Sequence, residues 1–123
     1  ILPDFSGSYT GPKGKGELDG KAILCVSGNF NYPVYGLVFD QGYVSRWDVK
    51  GYSKTTSYKR SYEVLGTKRV KWSWKYEGKK IGSYVLHRET LKLDNDQCSI
   101  SSKAGIFQKL DEIIATAKKK NKI

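Results

Sequence analysis

Arg69-Val70-Lys71-Trp72-Ser73-Trp74-Lys75-Tyr76 alternates charge or hydroxyl with a large apolar group for eight residues. Successive side chains of a strand point to opposite sides, so this stretch sorts into one aromatic face and one basic face. A helix would mix the two. Buried, the aromatic face is half of a core; exposed, it is a stacking platform beside a row of cations.

The same reading extends in both directions. Segments rich in Val, Ile, Tyr, Thr and Trp occupy 21–27, 33–39, 42–49, 54–64, 68–76, 82–93 and 97–101, residue types that suit a pleated, half-buried surface. Asp40-Gln41-Gly42, Leu65-Gly66-Thr67 and Glu77-Gly78-Lys79 are short enough to close hairpins, and Asp94-Asn95-Asp96 can close another through side-chain bonds to the local backbone. Parallel strands need crossovers of a dozen residues or more, and there is no room for them. Ser101 or Ser102 can cap a helix over 103–120, because Ile106, Leu110, Ile113, Ile114 and Ala117 fall on one helical stripe. Lys118, Lys119 and Lys120 complement the negative end of that helix; the other reading is an anion-binding tail. The expected fold is mainly β with one C-terminal helix: an antiparallel meander, curved or closed into a small barrel, with the helix packed on it.

A chain of 123 residues carries one core. Residues 1–20 hold five glycines and two prolines and read as an arm, leaving 21–123 as a single β-rich domain. Within the arm, Gly11-Pro12-Lys13-Gly14-Lys15-Gly16 lacks the preceding strand and the Lys-Ser/Thr ending of a phosphate loop. The chain has no methionine, which a removed leader explains, and no run of about 20 apolar residues that would span a membrane. Cys25 and Cys98 lie far apart, each inside an expected strand, unlike the close spacing of zinc or redox pairs. A disulfide between them places the protein in the periplasm or outside the cell, whereas two buried thiols would suit the cytoplasm.

The 22 basic residues against 12 acidic ones give a net charge of +10, a field that attracts polyanions or simply keeps a small protein dissolved. Lys59, Arg69, Lys71 and Lys75 are expected to share one sheet face and form a ligand-binding patch, since clustered cations repel one another until an anion arrives. Arg46 and Arg60 could join it only through a bulge or a barrel edge. His87 and Glu89 are two residues apart, so on one strand they would share a face and could act as a general acid and base, as in a ribonuclease. Asp94 and Asp96 lack the further carboxylate of a calcium loop, so neither metal nor cofactor is expected. Nine tyrosines and three tryptophans exceed what one small core consumes, and Trp47, Tyr58, Tyr62, Trp72 and Trp74 fall where their rings could meet across strands. Two functions fit. The first is an exported, non-enzymatic binding or inhibitory module that engages another macromolecule through a sheet surface; the second is a nucleic-acid or polyanion binder.

Overall fold

The computed structural model describes residues 16–27 and 34–120, apart from the side chains of 74–76. Nine antiparallel strands precede one helix: β1 (Ala22–Val26), β2 (Val34–Asp40), β3 (Tyr43–Lys50), β4 (Ser53–Ser61), β5 (Glu63–Leu65), β6 (Arg69–Tyr76), β7 (Lys79–His87), β8 (Lys92–Leu93), β9 (Asp96–Ser101) and α1 (Lys103–Lys120). The expected helix bounds are those observed. Residues 54–64 and 82–93, each read as one strand, are both divided: Tyr62 separates β4 from β5, and a turn at 88–91 separates β7 from β8.

The strand order is β4-β3-β2-β1-β9-β8-β7-β6-β5. Two meanders are therefore joined where the first strand pairs with the last, Cys25 directly opposite Cys98. The disulfide between these two residues spans 73 positions, and closing such a loop stabilises the fold by about 4 kcal/mol in the chain-entropy account. β4 and β5 are neighbours in sequence yet lie at opposite edges of the sheet. One residue reaches only about 3.5 Å, so the edges must come together and the sheet curls into a nearly closed barrel.

Curling gives the sheet an inside and an outside. Inward residues Ile23, Cys25, Tyr35, Leu37, Phe39, Val44, Val70, Trp72, Leu86, Leu93 and Cys98 fill the barrel. Phe39 meets Tyr62 and Trp72 edge-on at centroid distances of 5.2 and 6.0 Å. Residues 16–20, the end of the glycine-rich stretch, close one end: Leu18 joins the core, and Asp19 accepts from Tyr62 Oη and from the backbone N–H of Gly16 and Gly42. Residues 1–15, including the Gly11–Gly16 lysines Lys13 and Lys15, lie outside the described chain.

The helix forms a second, separate core on the outside of β1–β4. Ala22, Ile106 and Leu110 are buried there, with Leu24, Val38, Trp47, Val49, Phe107 and Ile113 packed around them. Ser102 caps α1, its Oγ accepting from Gly105 N at 2.9 Å. Gly36 is the contact point: a Cβ at that position would sit 2.4 Å from Ile106 Cγ2, so only glycine lets the helix lie this close. Turn chemistry sets the hairpins. Gln41 and Gly42 both adopt positive φ, 51° and 80°, the arrangement of a two-residue hairpin whose twist matches its strands, and Glu77-Gly78 repeats it.

Candidate functional site

The helix packs on the outer face of the first meander and not on that of the second. There the register aligns Arg69 with His87, His87 with Lys92, and Lys92 with Gln97 across four adjacent strands. Arg69, His87 and Lys92 are all exposed. Directly opposed residues on neighbouring antiparallel strands lie about 5 Å apart, so Arg69 and Lys92 flank the imidazole. Neither cation has a carboxylate partner among the described residues. One row further on, Lys71 faces Glu63 across β5–β6 at 3.8 Å, a long ion pair on an exposed surface.

The register of this row depends on a bulge. Counting back from the Glu77-Gly78 turn, the pairing shifts by one residue between Trp74 and Lys75. Unshifted, Trp72 would face Ser83 and Arg69 would face the buried Leu86. The extra residue brings Trp72 opposite Tyr84 inside the barrel and Arg69 opposite His87 outside it.

Of the four residues expected to form one basic face, Arg69 and Lys71 share the outer face of β6. Lys59 lies on β4, on the far side of the seam where the sheet nearly closes, and its ammonium sits 4.9 Å from the Tyr43 ring. Lys75 is on β6 beyond the bulge, with a side chain outside the described set. The expected pairing of His87 with Glu89 is corrected: β7 ends at His87 and Glu89 falls in the following turn, so the two do not share a strand face. His87 instead belongs to the cation row, where Lys92 was also missed. A bulge cannot be counted from residue types, so no sequence signal placed either residue beside Arg69.

A different constellation faces inward, at the end of the barrel where β1 finishes and β2 begins. The guanidinium of Arg46 stacks on Tyr35 with Cζ 3.8 Å from the ring centroid, and its Nε reaches Asp48 at 3.3 Å. Asp48, 4% exposed, also accepts from Thr55 Oγ1 at 3.0 Å and Ser57 Oγ at 2.8 Å. Ser57 is the extra residue of a second bulge, between the Arg46–Tyr58 and Trp47–Thr56 pairs. Tyr35 donates to Asp96, and Trp72 Nε1 donates to Tyr58 Oη at 3.2 Å. Tyr58 and Tyr84 stack at 5.9 Å. Burial raises the Tyr58 phenol to about 12, the nearby Trp72 N–H acting in the opposite sense. The Tyr35 hydroxyl is raised further, first by burial and then by its bond to Asp96.

The chain matches no protein family, no curated protein and no solved structure. Among the described residues no three His, Cys, Asp or Glu side chains converge on a metal position, and no helix is long and apolar enough to cross a membrane.

Proposed function

We propose that this protein is a small exported, non-enzymatic binding module, periplasmic or secreted, that engages an acidic surface of another macromolecule through the outer face of β6–β8. The observation that carries the reading is the Arg69–His87–Lys92 row. Two cations and an imidazole stand side by side, uncovered by the helix, and neither cation has an ion-pair partner among the described residues. An acidic partner would relieve their mutual repulsion, and a field of this sign speeds the encounter. Export is supported by the Cys25–Cys98 bridge, a bond that persists in oxidising compartments.

The second reading, a single-stranded nucleic acid, draws on the net charge of +10. Stacking does not favour it, because Trp72 is 2% exposed and points into the barrel, while Ser73, Ser83 and Val85 lie between the outer cations. Such a ligand would be held by its phosphates alone.

Binding of poly-L-glutamate and of single-stranded DNA across a salt series tests both readings. The expected result is salt-sensitive retention of poly-L-glutamate that disappears in an Arg69→Gln/His87→Gln/Lys92→Gln variant. Retention unchanged in that variant overturns the proposal. Should DNA bind far more tightly than poly-L-glutamate at equal salt, the nucleic-acid reading replaces it. The DNA salt slope should then fall by roughly 1.4, at about 0.7 for each of Arg69 and Lys92.

A further inference from the structure

Two arginines face the inside of this barrel, where apolar side chains would pack better. Arg46 lies opposite Tyr58 across β3–β4, and Arg60 lies opposite Val44, which is completely buried. Tyr58, Arg60 and Tyr62 alternate onto the same inward side of their chain segment, and the Cζ of Arg60 lies 5.6 Å from the Tyr58 ring.

The carboxylates nearby are already engaged. Asp48 takes Arg46 Nε, Thr55 and Ser57, and Asp96 takes the Tyr35 hydroxyl. Arg60 has no carboxylate partner among the described residues; its Nη1 makes one long contact of 3.4 Å to the Lys59 carbonyl. Its Nε is the one buried side-chain polar atom among the described residues with no hydrogen-bond partner. A buried N–H left unpaired carries the full cost of its lost solvation, and each such group in a folded protein calls for its own explanation. Arg46 keeps 22% of its side chain exposed, so this layer is reachable from solvent.

We propose that the inward layer around Tyr58 binds a small ligand with one anionic head and a flat apolar body, an aromatic carboxylate or phosphate monoester. Arg60 and Arg46, both set against Tyr58, take the head, and the Tyr58 ring lies against the body. The site is independent of the outer cation row.

Tryptophan fluorescence of the full oxidised chain, titrated with benzoate, phenyl phosphate and benzyl alcohol, tests it. Trp72 Nε1 touches Tyr58, so it reports on the layer. Benzoate or phenyl phosphate should give a saturable change that benzyl alcohol does not. Arg60→Met should weaken benzoate at least about tenfold while leaving the melting temperature unchanged or higher, since it removes an unpaired buried N–H. Arg46→Lys, which keeps a cation beside Asp48, should weaken it as well. No saturable response, an equal response to benzyl alcohol, or binding intact in both variants overturns the site. Binding lost in Arg69→Gln/Lys92→Gln but kept in Arg60→Met assigns it to the outer face, which overturns this inference and leaves the macromolecular one standing.

Discussion

The two halves of one sheet present opposite outer surfaces. Outside β1–β4, Ala22, Leu24, Val38, Trp47 and Val49 are apolar and lie under the helix; outside β6–β8, the corresponding outward positions are Arg69, Lys71, Ser73, Ser83, Val85, His87 and Lys92, apolar only at Val85. The backbone is the same and so is the inner core. What differs is which half had an amphipathic helix to bury. An 18-residue helix has one apolar stripe, and a strand whose outer face is charged offers that stripe nothing to pack against. The helix therefore packs on one half only.

The largest expected effect separates the shared interior from both surfaces. Trp72→Ala should cost about 3–5 kcal/mol, because the indole fills the barrel and bonds Tyr58. Trp47→Ala, half-buried against Phe107 at 4.8 Å, should cost less. Equal losses in denaturant unfolding would mean that the helix side carries as much of the fold as the barrel.

The interior should also show itself in alkali. The folded chain holds the Tyr58 proton up to about 12 against an ordinary 10.0, so the unfolded chain gives up its proton first. Stability is fully present below pH 10 and declines as pH rises towards 12, by roughly 2–3 kcal/mol for this group. Tyr35 and Tyr62 act in the same direction, each raised chiefly by burial. Thermal melts from pH 9 to 12 should become flatter in Tyr58→Phe.

A smaller change should loosen the covered half alone. Gly36→Ala drives a methyl into Ile106 and should cost about 1–3 kcal/mol, with part of the loss recovered by Ile106→Ala in the same chain. The smallest effect belongs to the half without the helix. The Arg69, His87 and Lys92 changes should leave stability within about 0.5 kcal/mol, even as they abolish binding of acidic polymers. A large stability loss there would make the row a structural feature.

Much of this was legible from residue types. Period-two alternation at Arg69–Tyr76 placed Trp72 inward and Arg69 and Lys71 outward, turn residues located the hairpins, and the stripe from Ile106 to Ala117 bounded the helix. Local patterns suffice here because side-chain direction follows directly from backbone period. The disulfide partner was legible for a simpler reason: there was only one other cysteine.

Tertiary structure decided the rest. Each bulge adds a single residue that no composition announces, yet it sets who stands opposite whom: one brought Arg69 opposite His87, while the end of β7 took Glu89 off the strand and the turn at 88–91 brought Lys92 to the imidazole's other side. Sheet closure did the same for Arg46 and Arg60, which strand parity sends inward but which become barrel-lining groups only when β4 returns to β6. Alternation says which side of a strand a residue faces. What occupies that side depends on residues distant in sequence, and their positions are set by curvature, register and the one helix that covers half the sheet.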